Sequence, residues 1–206
     1  MKCILLHGLG QNPSDWDNTI KYIDDRVDVS CPALFEWLPK KKTSYTYLYQ
    51  GLEKYCEQFD EPFILGGLSL GGILSLQYAL EHSDKVFSLV LMGTQFSMPK
   101  NMLRFQNIIF RILPNTSFSN MGLDKKAVIS LCNSMMALNF TENLEDIHCR
   151  TLILCGEKDK SNQAASMKLK EQIENAKIMF IPNAGHEINI DNPIQLGKVI
   201  SSFYCE

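Results

Sequence analysis

The stretch Gly66-Gly67-Leu68-Ser69-Leu70-Gly71-Gly72 decides how this chain is read. An apolar run, Pro62-Phe63-Ile64-Leu65, leads into it. Ile73-Leu74-Ser75-Leu76-Gln77-Tyr78-Ala79-Leu80 follows with the character of a helix. A G-x-S-x-G sequence between a strand and a helix has to turn very tightly. Gly67 and Gly71, two residues to either side of Ser69, let strand and helix approach with no side chain in the way. The turn holds the Ser69 hydroxyl clear of its surroundings at a helix N-terminus, where unpaired amides and the helix dipole favour negative charge. The plainer reading is a glycine-rich corner without chemistry. The rest of the chain decides between the two.

In the strand–turn–helix context, an acid and then a histidine follow the serine in chain order. Asp159 lies in Cys155-Gly156-Glu157-Lys158-Asp159, just after the apolar run Thr151-Leu152-Ile153-Leu154. His186 lies in Pro182-Asn183-Ala184-Gly185-His186-Glu187, just after Ile178-Met179-Phe180-Ile181. Ser69, Asp159 and His186 therefore each follow a separate expected strand. In a parallel sheet the C-terminal strand ends share one edge, so the three can converge there. The other histidines fit less well. His82 is about 20 Å along the helix from Ser69 at 1.5 Å per residue, and reads as a helix-end residue. His148 precedes its strand and belongs at the opposite edge. His7 is at the correct edge, in His7-Gly8-Leu9-Gly10, but precedes Ser69 in the chain; it reads as a loop-ordering residue.

These elements together resemble the α/β-hydrolase family, in its small serine esterase and lipase form. The resemblance rests on His7-Gly8-Leu9-Gly10 with Trp16 beyond it, the turn at Ser69, Gly156-Glu157-Lys158-Asp159 and Gly185-His186. Residues 82–93, from a helix end into a strand, lie between them and match the same order. The family usually has two earlier strands, so a reduced, mostly parallel sheet of about six strands is expected here. The resemblance implies Ser69, Asp159 and His186 as catalytic residues, and the backbone amides of Leu9 and Leu70 as an oxyanion hole. Glu157 stands two residues from Asp159 as a rival acid, and Glu187 is less able to fold back onto its neighbour His186.

The bulk properties agree with one α/β domain over residues 1–206. With 45% hydrophobic and 21% charged residues, the composition is that of an ordinary globule. A net charge of -3 and a single basic run, Lys40-Lys41-Lys42, argue against nucleic-acid binding. No apolar run is long enough for membrane insertion, and residues 1–7 lack a signal-peptide layout. The 7 cysteines have no metal-ligand spacing and read as buried thiols of a reducing compartment, so cytoplasm is the expected location and no metal is expected. The glycine-rich turn lacks G-x-G-x-x-G spacing, and no cofactor is expected.

Short apolar runs alternate with amphipathic segments. Strands are expected at residues 3–7, 27–31, 63–66, 87–92, 151–155 and 177–181, and helices at 15–25, 44–59, 70–81, 162–174 and 193–204. Pro193 behind Asn192 suits a first helical turn behind its cap. One segment, at about 97–147, carries no strand signal although it separates two expected sheet neighbours. Met102, Phe105, Ile109 and Ile112 have helical spacing there, as do Val128, Leu131 and Met135. The segment reads as a small helical cap, with Met98, Met102, Phe105 and Met135 lining an apolar substrate pocket; an ordinary crossover helix with a long loop is the alternative. The functional expectation is a serine hydrolase acting on a small-molecule ester of small to medium acyl length. The same triad could serve acyl transfer, thioester cleavage or carbon–carbon bond hydrolysis, and a ligand receptor on the same scaffold is the non-enzymatic alternative.

Overall fold

Successive buried residues along the strands point to opposite faces, and that alternation builds the layers. In the computed structural model, which describes residues 1–39, 42–98, 110, 112–118 and 122–205, six strands form one sheet. They are β1 (Lys2–Leu6), β2 (Asp28–Ser30), β3 (Phe63–Leu68), β4 (Val86–Met92), β5 (Arg150–Gly156) and β6 (Ala176–Ile181). Every pair is parallel, in the order β2-β1-β3-β4-β5-β6. Ile4, Leu6, Phe63, Leu65, Leu89, Leu91 and Ile153 point into one apolar layer. Cys3, Leu5, Ile64, Val90, Leu152 and Leu154 point into the other. A parallel sheet buried on both faces needs such continuous apolar strands.

The first layer is covered by α2 (Tyr45–Cys56), α3 (Leu70–Glu81) and α5 (Lys160–Gln172). The second is covered by α1 (Asp17–Ile20) and α7 (Pro193–Cys205), with α6 (Ile188–Asp191) between the last strand and α7. α2 starts behind Ser44, whose hydroxyl accepts from the Tyr47 amide at 3.4 Å. α7 starts at Pro193 behind Asn192, whose side chain accepts from the Gln195 amide at 3.3 Å, as expected of that cap. The helix expected at 15–25 is instead a 3-10 turn, Pro13–Trp16, running into the four-residue α1. A capping box at Asn12 starts this segment. Trp16, Thr19 and Ile23 provide the buried anchors, and the rest of it is half-buried or exposed, too little buried face for a long helix. The strand β3 runs beyond its expected end at Gly66, through Gly67 to Leu68.

Between β4 and β5, which are direct neighbours, the chain leaves the sheet and returns. The two ends of this excursion lie side by side: the Phe140 amide donates to the Phe96 carbonyl at 2.8 Å, and the Met98 amide to the Leu138 carbonyl at 3.1 Å. Within it lies α4 (Lys125–Met135), capped by Asp124, with Val128, Leu131 and Met135 buried. Helical spacing placed those three on one face. Ile112, read as part of another helix face, is 79% exposed. Met102, Phe105 and Ile109 lie outside the described residues. Among the described residues, no helix is long and apolar enough to cross a membrane.

Candidate active site

Ser69 sits between β3 and α3 with φ 53° and ψ -108°. Such a backbone costs a non-glycine residue about 1–3 kcal/mol and persists only where its surroundings dictate it. Here they do. A Cβ at Gly67 would overlap the backbone of Gly71, and a Cβ at Gly71 would overlap the backbone of Leu6. Strand and helix therefore meet at a separation only glycine permits. The Ser69 amide donates to the Met92 carbonyl at 2.8 Å, which fastens the turn to the end of β4.

The loops after β5 and β6 bring Asp159 and His186 together. His186 Nδ1 lies 2.8 Å from Asp159 Oδ2. The Asp159 side chain is 5% exposed and that of His186 is 42% exposed, so the acid is buried and the imidazole reaches solvent. Gly93, one residue beyond β4 and at φ 53°, backs onto this pair. A Cβ there would stand 3.0 Å from His186 Nδ1 and 3.5 Å from Asp159 Oδ2. The Asp159–His186 pair thus rests against residue 93, and Ser69 is bonded to residue 92. Three loops that are remote in sequence meet over the C-terminal end of β4.

Asn162, in the first turn of α5, is a site residue that sequence reasoning missed. Its Nδ2 lies 2.9 Å and 2.8 Å from the two oxygens of Asp159, and 3.1 Å from His186 Nδ1. Its Oδ1 accepts from Gln95 Nε2 at 2.8 Å, which fixes the orientation of the amide. The signal was thin: an asparagine three residues after an acid, at a helix start, reads as ordinary capping chemistry. Burial works to raise the Asp159 pKa, but the hydrogen bonds from His186 and Asn162 outweigh it. The carboxyl is left below its ordinary value and is ionised at neutral pH. Glu157 is exposed and accepts instead from the Asn183 amide at 3.1 Å. It serves the turn after β6 and does not pair with His186.

Residues 8–11 form a tight turn beside the Ser69 turn. The Gln11 amide donates to the Gly8 carbonyl at 3.2 Å, and Gly10 takes φ 90°, as the third position of a type II turn requires. Leu9 occupies the second position, whose amide the turn leaves unused. Leu70 is the first residue of α3, and its amide has no partner within the helix. Neither amide donates to a protein acceptor among the described residues. His7 is buried below this turn. Its Nδ1 donates to the Gly8 carbonyl at 2.9 Å and its Nε2 accepts from the Leu34 amide at 3.2 Å. Burial lowers its pKa, so the ring is neutral and orders the loop. His82 stacks on Tyr78 at 4.4 Å and meets Glu53 at 3.3 Å at the far end of α3. His148 is exposed, just ahead of β5.

Met98 and Met135 are buried in the same apolar cluster as Leu70 and Ile73. Along the same buried face of α4, Val128 and Cys132 form a small cluster with Phe118, against which Leu9 packs. The excursion therefore shares one apolar cluster with Leu70 and packs against Leu9 through another.

The alpha/beta hydrolase family model matches residues 3–196. The chain superposes on MenH from S. aureus with a TM-score of 0.84 at 19% identity, covering 100% of this chain and 93% of that one. It superposes on a thermophilic esterase from Thermogutta terrifontis with a TM-score of 0.83 at 19% identity, covering 100% and 89%. Both likenesses are of fold. In sequence it is 22% identical to a Bacillus subtilis protein provisionally named a 2-succinyl-6-hydroxy-2,4-cyclohexadiene-1-carboxylate synthase, over 97% of this chain and 89% of that protein. It is also 22% identical to monoacylglycerol lipase ABHD6 of Mus musculus, over 97% of this chain and 74% of that protein.

Proposed function

The chain belongs to the alpha/beta hydrolase family, and on that premise we propose that it is a serine hydrolase cleaving a carboxylic ester with a small to medium, largely apolar acyl group. One observation carries the reading. A serine in a strained turn and a half-exposed His186 joined to the buried Asp159 at 2.8 Å occupy the same end of the sheet around residues 92 and 93.

The chemistry follows from these groups. A serine hydroxyl is a weak nucleophile at neutral pH and needs a base. His186 takes the Ser69 proton as Oγ attacks the ester carbonyl. Asp159, ionised, accepts from Nδ1, holds Nε2 ready as the base, and stabilises the imidazolium that forms. Negative charge on the tetrahedral oxygen is met by the Leu9 and Leu70 amides, together with the N-terminus of α3. The proton on His186 then passes to the departing alcohol, leaving an acyl group on Ser69. Water, deprotonated by His186, releases the acid and restores the hydroxyl.

The excursion between β4 and β5 supports an apolar acyl pocket, with Met98, Met102, Phe105 and Met135 as its proposed lining. We read it as a cap over residues 97–147 of the single domain. Cys3, Cys31, Cys56, Cys132, Cys149 and Cys155 carry free thiols, which supports a cytoplasmic setting. A second reading keeps the triad and changes the reaction, to acyl transfer, thioester cleavage or carbon–carbon bond hydrolysis; the Bacillus subtilis relative is named as a synthase, which favours a reaction other than ester hydrolysis. The deciding experiment is a panel of para-nitrophenyl esters of increasing chain length, run beside fluorophosphonate labelling. Labelling with turnover is the expected result. Labelling without turnover of any ester favours the second reading. Absence of both overturns the serine hydrolase.

A further inference from the structure

Two buried side-chain amides join halves of the site that lie 178 residues apart in sequence. Gln11 is 3% exposed and Asn189 is 1% exposed. Gln11 Nε2 donates to Asn189 Oδ1 at 3.0 Å, and Asn189 Nδ2 donates back to Gln11 Oε1 at 3.3 Å. The remaining bonds are specific too. Gln11 Oε1 also accepts from the Gly8 amide at 3.2 Å, while Gln11 Nε2 also donates to Glu187 Oε1 at 3.3 Å. Asn189 Nδ2 also donates to the Asp15 carbonyl at 3.2 Å. Every polar atom of the two amides is satisfied. A buried polar pair is expensive to complete, and two apolar side chains would fill the same space at lower cost. What the pair supplies is register.

The register it sets is between the turn that carries the Leu9 amide and the loop that carries His186. Gln11 closes residues 8–11 from both ends: its backbone amide reaches the Gly8 carbonyl, and its side chain takes the Gly8 amide. At the other end, Glu187 is the neighbour of His186, and Asn189 stands in α6. The far end of α6 is fastened in turn, since Asp191 Oδ2 accepts from the Gly185 amide at 2.7 Å. His186 is thus bracketed by two residues tied to α6, and α6 is tied to the turn at Leu9.

We infer that Gln11 and Asn189 are positioning residues that hold the oxyanion-binding turn in fixed register with the catalytic histidine loop. This rests on the proposed serine hydrolase mechanism. The developing oxyanion must meet the Leu9 amide at hydrogen-bond distance while His186 holds the proton, and a small misplacement of either group costs rate. The pair touches no reacting atom. Its effect is on the transition state more than on substrate binding.

The test compares wild type with Gln11→Glu, which keeps the acceptor but loses the donor, and Asn189→Asp, which does the same from the other side. Active sites are titrated with a fluorophosphonate, so that misfolded protein is not counted. Rates are then measured on para-nitrophenyl acetate, with inhibition by a trifluoromethyl ketone that forms an oxyanion on Ser69. Per titrated site, kcat should fall by about 10–100-fold in either variant, less than the roughly 100–1000-fold lost when an oxyanion donor is removed outright, because here the donor is displaced and not deleted. KM should change by less than about 3-fold, and the ketone should weaken in parallel with the loss in kcat/KM. A merely structural pair would lower the titrated fraction and the melting temperature while leaving kcat per site and ketone affinity unchanged, and that result overturns the inference. If Gln11→Glu yields no folded protein, Asn189→Asp is read alone by the same criteria. A wild-type protein with neither labelling nor turnover overturns the mechanism itself, and this inference with it.

Discussion

At the scale of single residues, the acid is where the site is most exposed to test. Asp159 and Glu157 are two positions apart, yet one is buried against His186 and the other holds the Asn183 amide. Asp159→Asn should lower kcat/KM on an ester substrate by about 10³–10⁴-fold, because the neutral amide no longer fixes the tautomer of the imidazole. Glu157→Gln should change it by less than about 5-fold, since that carboxylate serves only the turn. Ser69→Ala should abolish fluorophosphonate labelling and remove at least about three orders of magnitude of rate. Retained labelling of that variant would place the nucleophile elsewhere. Asn162 yields a prediction of stability. Because the folded pKa of Asp159 is lowered, this group stabilises the fold above its unfolded pKa, near about 3.9, and the contribution is lost as pH falls through the lower folded value. Asn162→Leu removes a hydrogen-bond donor from the carboxylate and so raises the folded pKa. Acid unfolding, followed by tryptophan fluorescence, should then begin at a higher pH than in wild type. An unchanged or lower midpoint would mean that Asn162 does not stabilise the ionised acid.

At the scale of elements, the site depends on how closely backbones approach. The end of β5 presses on the loop after β6: a Cβ at Gly156 would overlap the backbone carbonyl of Gly185, next to His186. Gly156 and Ile181 are paired in the ladder, so neither strand can shift alone. Gly156→Ala should therefore push the His186 loop away from Asp159. The expected result is a loss of about 1–3 kcal/mol in stability by denaturant unfolding, together with a fall in kcat per titrated site. A variant with wild-type kcat would show that the loop tolerates the shift. Gly156 was read in sequence only as part of a turn motif. That it ends a strand, and why glycine is needed there, depends on the neighbouring loop.

At the scale of the whole molecule, the role we propose for the excursion between β4 and β5 is to select what the site accepts. Its ends meet at residues 96–98 and 138–140, so it is a branch from the sheet with a closed base. Buried residues of this branch share clusters with Leu70 on one side and Leu9 on the other. If the excursion lines the acyl pocket as proposed, Met135→Ala, which removes volume from the apolar cluster that also holds Leu70, should raise the ratio of kcat/KM for octanoyl over acetyl esters. It should change the acetyl rate by less than about 3-fold, as a two-carbon acyl group barely reaches the enlarged region. Equal loss on every chain length would mark Met135 as core alone.

The sequence by itself determined the sheet and pointed to Ser69 and His186 as two members of the candidate triad. Short continuous apolar runs such as residues 151–155, alternating with amphipathic segments, read as strands buried on both faces, and the glycines around Ser69 suit a tight strand-to-helix turn. Helical spacing also placed Val128, Leu131 and Met135 on one buried face. These are local signals, written in neighbouring residues. Tertiary structure decided the rest. It separated Asp159 from Glu157, since both follow the same strand and only the fold shows which one faces His186. It brought Asn162 onto the carboxylate and Gly93 beneath the imidazole, and it paired Gln11 with Asn189 across almost the whole chain. It also shortened the first expected helix, because too little of that segment finds an apolar surface to cover. A hydrogen bond between residues far apart in sequence leaves no periodic trace in either segment. Side chains that act by holding others in place therefore become visible only when the chain is folded.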